Sequence, residues 1–320
     1  MIVAGIDEAG YGPLLGPLVV STVAIECPQA ISDRIPDVAD MLNPAVAVQP
    51  PIPHGALFVT DSKVVHRSQN GLHHLEAATL IAVELAGGGA TPMRLDDLAK
   101  ALGWTGDARL PWYDWSHAVS PLWASADAIS ITRSMLWGRM ASRGVRMALA
   151  RSVLMDEANF NHQVSKTLNK AAVLSSCGMQ LLRQIADQSA GETWVVVDKN
   201  GARDRYLDLL MRTFPDVIWR VCTESSAISR YEWHRPGGLF RVDFQQKGEL
   251  ACMATAWASM ICKYLRERAM EQFNDWWATQ TGGNVSPTAG YYTDAQRWLS
   301  EMAPYLERYG PPQEQWVRTR

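Results

Sequence analysis

The order of apolar runs and helical periodicities along the chain predicts an α/β fold. Two β-branched-rich runs open it, a continuous apolar run stands at Trp194 to Val197, and long stretches with apolar residues three and four apart lie on either side of that run. Ile2 to Ile6 and Leu18 to Ile25 read as strands joined by the glycine- and proline-dense AGYGPLLGP, so the chain begins with a hairpin-like unit. Residues 40–56 hold four prolines and read as an irregular excursion. A short strand, Ala56 to Val59, and a helix beginning near Asp61 or Ser62 follow it. The run AGGGATP within 86–98 precedes five tryptophans, Trp104, Trp112, Trp115, Trp123 and Trp137, and this composition shift makes 86–155 a candidate insertion.

From Asn161 to Gln188 the pattern is helical, with Leu168, Ala171, Ala172, Leu174, Ser175, Leu181 and Leu182 spaced by threes and fours. The run Trp194 to Val197, bounded by a polar turn, suits a strand buried on both faces. Residues 249–273 place Leu250, Met253, Trp257, Met260, Ile261, Tyr264 and Leu265 on one stripe, which predicts a long amphipathic helix. A flexible stretch at 280–290 leads into a final helical pattern.

A chain of 320 residues that is 47% hydrophobic and 20% charged supports one large core or two modest ones, and rules out disorder as its main state. The net charge of −3 means that affinity for a polyanion has to come from a local patch. Five scattered cysteines without a C-x-x-C pair argue against a disulfide framework and a zinc site, and fit a reducing cytoplasm. The N-terminus lacks a basic leader, and Leu14 to Ile25 is broken by Gly16, Pro17, Ser21 and Thr22, so no signal peptide or membrane span is expected.

In open α/β sheets functional groups gather beyond the carboxyl ends of strands. Asp7 and Glu8 stand at one such end and Asp198 at another. If the two strands are neighbours, the carboxylates converge and repel, and a divalent cation is the simplest relief. The alternative is that each acid begins a solvated turn. A dinucleotide loop at GYGPLLG is disfavoured, because Asp7 and Glu8 would repel a pyrophosphate, Pro13 lacks an N–H, and the spacing is not G-x-G-x-x-G.

The segment GIDEAGYGPLLGPLVV closely resembles the DEAGRGPLAGPVV signature of ribonuclease HII, the type 2 ribonucleases H. Further segments agree in order: TDSK (60–63) resembles the family's DSKKL, LNKAAV its N-I-x-x-A-T helix, and VVVDKN its VDGN. KGELACMATAWASMICKYLRER resembles its KGD…AASILAKVTRDR, and GYYT (290–293) is similar to its G-Y-x-T element. The resemblance spans about residues 1–85 and 160–295. It implies a ribonuclease H-like fold, a mixed central sheet flanked by helices, over 1–275, with a tryptophan-rich insertion. A helical C-terminal extension at 276–320 then carries the GYYT element.

It also implies an endoribonuclease that hydrolyses the RNA strand of RNA–DNA hybrids and incises at ribonucleotides embedded in duplex DNA, acting as a monomer with Mg²⁺ or Mn²⁺. By position, Asp7, Glu8 and Asp198 match the metal ligands, and Glu249 falls where the family has its fourth catalytic acid, an aspartate. Gly10, Tyr11, Gly12, Lys63 and Tyr291 match substrate-binding positions.

Two departures matter. The extra methylene of Glu249 moves its carboxylate outward by roughly 1.5 Å, and Tyr11 stands where the family carries an arginine that grips the junction. They motivate a second reading, a catalytically weakened or silent paralogue that binds hybrid duplexes without cutting. Glu249 could instead serve only the helix dipole, and Asp61 and Ser62 could act as helix caps. Lys63 and Lys263 either contact phosphates or lie in solvent. Lys199 replaces a family glycine for which the sequence offers no role. The tryptophans of 104–137 read as core in preference to base-stacking platforms.

Overall fold

One seven-stranded mixed sheet organises the chain in a computed structural model, which describes residues 1–87, 91–106, 110–199, 203–309 and 311–319. The first third comprises β1 (Ile2–Ala9), β2 (Leu18–Glu26), α1 (Val38–Leu42), β3 (Val46–Ala47), β4 (Leu57–Phe58), α2 (Ser62–Arg67), α3 (Gly71–Gly87) and α4 (Leu95–Ala101). A short 3₁₀ turn (Pro111–Tyr113), α5 (Ala126–Arg143), β5 (Arg146–Met155), α6 (Glu157–Thr167), α7 (Lys170–Gln188) and β6 (Thr193–Asp198) follow. The last third holds α8 (Leu207–Thr213), β7 (Arg220–Glu224), β8 (Ile228–Arg235), β9 (Gly238–Gln245), α9 (Gly248–Ala251), α10 (Met253–Thr281) and α11 (Tyr292–Tyr309).

The sheet runs β5-β2-β1-β6-β9-β8-β7. Its three central strands, β1, β6 and β9, are parallel to one another, while β2, β5, β8 and β7 pair antiparallel to their neighbours. Parallel central strands bring three carboxyl ends to one edge, which is the precondition for a shared site. The expected N-terminal hairpin is present, with Asp7 paired to Ser21 and Glu8 to Val20.

Alternation along β1 sends Val3 to one face and Ala4 and Ile6 to the other, so each face builds its own core. On the first face α10 crosses the sheet. A Cβ at Gly5 would overlap the backbone of Ala254 and Thr255, and the Thr255 hydroxyl donates to Val196 O at 3.1 Å. On the second face α7 packs through Val173, Leu174, Cys177, Leu181 and Leu182.

Two helices differ from the sequence expectation. The pattern over 161–188 is split: Leu168 takes a left-handed conformation (φ 51°), and Asn169 caps α7 by accepting from Ala171 N at 2.9 Å. Periodicity misses this because the apolar spacing continues across the break, although Asn169 is itself a cap-forming residue. The helix expected over 249–273 is interrupted at Cys252, whose backbone is extended (φ −142°, ψ 122°), and resumes as α10 to Thr281. Leu250, placed by periodicity on the buried stripe, is 68% exposed. The proline-rich excursion starts within α1 and carries β3, which pairs in parallel with β4, the short strand expected at Ala56 to Val59. Within 86–155, β5 is an edge strand of the main sheet, and Trp112 and Trp115 are buried, with Trp104 and Trp123 packed beside them. Trp137 is the exception, 61% exposed. The five cysteines are free, and among the described residues no helix is long and apolar enough to cross a membrane.

Candidate metal centre

Ile6 of β1 is level with Val197 of β6, so the next residue on each strand, Asp7 and Asp198, leaves the same edge side by side. Asp7, Glu8 and Asp198 each offer a carboxylate oxygen such that all three lie within 4.8 Å of one another. Burial pushes the Asp7 carboxyl well above the usual carboxylate range, and the charges of Glu8 and Asp198 push it further. Burial likewise moves Asp198 up to about 6, with Glu249 adding to the rise and the Lys63 ammonium opposing it. Repulsion that adds to the effect of burial on both groups is the electrostatic mark of acids held close together. The donor set is all carboxylate oxygen, which suits a hard divalent cation.

Glu249 arrives from the third parallel strand. The turn after β9 passes through Lys247 in a left-handed conformation (φ 55°), and Gly248 N then donates to Asp198 Oδ1 at 2.8 Å. The extended Cys252 separates the short α9 from α10, so α9 sits against β6 and β1 with Glu249 within hydrogen-bonding reach of Asp198. Glu249 approaches the site through Asp198 and stands outside the tight set of three.

The loop between β1 and β2 is gripped from beneath. Gly10 (φ 85°) is buried, and a Cβ there would overlap Pro17 O. Arg318, from the end of the described chain, donates to Gly10 O and to Tyr11 O (3.3 Å), while its own N–H donates to Leu14 O (2.8 Å). Its guanidinium lies 3.8 Å from the Phe160 ring centroid. Glu157 accepts from Gly16 N at 2.9 Å, and Leu14 N donates to Gly290 O at 2.9 Å. This last bond brings the GYYT element to the loop. Tyr291, half-exposed, stands with the Arg266 guanidinium 5.0 Å from its ring centroid. Tyr11 lines a cavity of about 340 Å³ that opens beside Asp7, Glu8 and Asp198, with apolar walls from Ile6, Leu174 and Met179. Gly12 is exposed.

Among the lysines, Lys63 is exposed on α2, and its charge reaches Asp198, while Asp61 caps that helix by accepting from Lys63 N at 2.8 Å. Lys263, considered for phosphate contact, is paired with Glu267 at 2.6 Å instead, because the i,i+4 acid lies on its own helix face. Lys199 is buried and acquires a structural role: its ammonium meets Asp204 Oδ1 at 2.8 Å and Ser229 Oγ at 3.2 Å, tying the turn after β6 to β8. Asn200, which closes the VVVDKN segment, lies outside the described residues. Sequence reasoning missed Arg318 and Glu157 altogether, since a basic residue near the end of the chain and an acid in a helix's first turn both read as ordinary surface positions.

A triad of carboxylates at the C-terminal edge of a mixed sheet, backed by a fourth acid and a glycine-rich loop, defines the class of site. No family model and no curated protein matches the chain. Among solved structures it is similar to the ribonuclease HII of a PCNA:RNase HII complex from Archaeoglobus fulgidus, at 15% identity and TM-score 0.48, over 99% of this chain and 92% of that one. It is similar to Bst-RNase HIII in complex with Mn²⁺ at 13% identity and TM-score 0.41, over 99% of this chain and 66% of that one. The ribonuclease H2 from Pyrococcus horikoshii OT3 aligns at 15% identity and TM-score 0.37, over 100% of this chain and 94% of that one.

Proposed function

We propose that the chain is a divalent-cation-dependent endoribonuclease that hydrolyses the RNA strand of RNA–DNA hybrids and incises duplex DNA at embedded ribonucleotides. The observation that carries this reading is the meeting of Asp7, Glu8 and Asp198 within 4.8 Å at the carboxyl ends of two adjacent parallel strands. The ordered motif resemblance supplies the substrate class. Asp7, Glu8 and Asp198 would hold Mg²⁺ or Mn²⁺ through carboxylate oxygens. When bound, the cation supplies activation of the attacking water and neutralises charge at the scissile phosphate.

The protein's own part is positioning. Gly248 N holds Asp198 Oδ1, Glu8 N donates to Asp7 Oδ1 at 2.6 Å, and Glu249 adds a fourth acid within hydrogen-bonding reach of Asp198. Tyr11, Gly12 and Tyr291 face the substrate from the loop and the docked GYYT element, and Lys63 contacts phosphate beside Asp198. The test is incision of a duplex carrying one ribonucleotide, assayed with Mg²⁺ and with Mn²⁺. Product that disappears in Asp7→Asn supports the reading, and no cation-dependent product from the intact chain overturns it. If Glu249→Asp then creates cleavage that the parent lacks while hybrid affinity is unchanged, the silent-paralogue reading holds.

A further inference from the structure

We infer that Lys170, carried on the face of Tyr11, is a phosphate-binding residue for the substrate strand. The inference rests on the hybrid-nuclease reading above and assigns a contact within that site.

Lys170 is the first residue of α7, and its ammonium lies 5.0 Å from the centroid of the Tyr11 ring. The next residue, Ala171, and Tyr11 both line the cavity that opens beside Asp7, Glu8 and Asp198. Burial and the Glu8 charge both raise the Tyr11 hydroxyl pKa, which places that hydroxyl within electrostatic reach of the acids. What distinguishes Lys170 is its partner. Lys199 and Lys263 are each neutralised by a carboxylate, Asp204 and Glu267 respectively, whereas among the described residues Lys170 makes no ion pair and rests on an aromatic face.

A cation–π contact orients an ammonium without cancelling its charge, so the group keeps N–H donors to offer an anion. Such a cation, standing on a residue that lines the cavity beside the three acids, is suited to an anion that arrives with its own neutralising metal, and a phosphodiester is that anion. Lys63, whose charge reaches Asp198, supplies a second cation beside the cluster. The chain's net charge of −3 makes these few local contacts the main source of backbone affinity.

The experiment is fluorescence anisotropy of a labelled RNA–DNA hybrid over a salt series, with Ca²⁺ in place of the catalytic ion, for the parent, Lys170→Met, Tyr11→Ala and the double variant. Isothermal titration with Mn²⁺ checks that the acidic cluster is intact. Lys170→Met is expected to bind the hybrid about tenfold more weakly at low salt, and to lower the slope of log K against log salt by about 0.9, one phosphate contact. Tyr11→Ala leaves the lysine but removes its support. It should lose part of the same slope together with the affinity of Tyr11's own contact, and the double variant should show the salt slope of Lys170→Met. An unchanged slope in Lys170→Met, with the parent binding normally, overturns the role of Lys170 and leaves the nuclease reading intact. A parent that binds no hybrid overturns both.

Discussion

Glu157 lies fully buried beneath the loop that follows β1, accepting from Gly16 N and from the Tyr113 hydroxyl, each at 2.9 Å. Burial moves its carboxyl up to about 7 from an ordinary 4.5, and Arg318, near enough to feel it, is moved down to about 10 by its own burial. A carboxyl whose folded pKa is raised is more stable protonated in the native state. Its contribution is therefore complete below pH 4.5 and is lost as pH rises through 7. The share from this one group is about 3 kcal/mol. Urea denaturation across that window should show stability falling with pH, and Glu157→Gln should flatten the fall. A variant with the parent's pH slope would show that some other group titrates. Gly5 is a second residue-scale constraint. Its missing Cβ is the space through which α10 crosses β1, so Gly5→Ala is expected to cost about 3 kcal/mol by overpacking, read from the denaturation midpoint.

At the scale of elements, the β1–β2 loop is shaped by segments far from it in sequence. Arg318 holds the carbonyls of Gly10 and Tyr11, Gly290 holds Leu14, and Glu157 holds Gly16. Arg318→Met leaves those carbonyls without their donor. Under the proposed activity, KM for a hybrid is expected to rise about tenfold, while Mn²⁺ affinity stays at the parent's value, because Asp7, Glu8 and Asp198 are held by the strands and by Gly248. Loss of both together would mean that the tail supports the whole edge of the sheet. The break at Cys252 works at the same scale: a continuous helix from 248 to 281 could not both pack on the sheet and bring Glu249 to Asp198.

For the molecule as a whole, the tail is anchored by tryptophans drawn from distant parts of the chain. Trp316 is fully buried among Trp112, Trp277, Trp298 and Phe273, with ring centroids 5.6–6.2 Å away. The side-chain amide of Asn161 donates to Glu314 O and Val317 O and accepts from Thr319 N, which fixes this C-terminal segment on α6. Trp316→Ala is expected to destabilise the fold by about 3–5 kcal/mol. Because Arg318 is two residues on, it should also reproduce the KM rise of Arg318→Met, a coupling that thermal denaturation and kinetics on one preparation would check. Segment 86–155 belongs to this integration as well, since Trp112 and Tyr113 connect the tryptophan cluster to Glu157 and β5 completes the sheet.

Much of this was legible in the chain itself. β-Branched runs marked β1 and β2 and a continuous apolar run marked β6, the placement of Asp7, Glu8 and Asp198 at strand ends named the acids, and Asp61 announced a helix cap that is present. These are local signals, carried by the period of a strand or by one residue's hydrogen-bonding habit, and a sequence displays such signals directly. Periodicity could not show the single-residue breaks at Leu168 and Cys252, because apolar spacing persists through them. Nor could it show that Lys263 is neutralised by Glu267, that Lys199 is a buried clasp, or that Lys170 stands on Tyr11. Which acids share an edge, and which residues hold the loop beside them, were decided by strand order and by long-range packing. Contacts such as Arg318 with Gly10, more than 300 residues apart, exist only once the sheet has brought its parallel strands together.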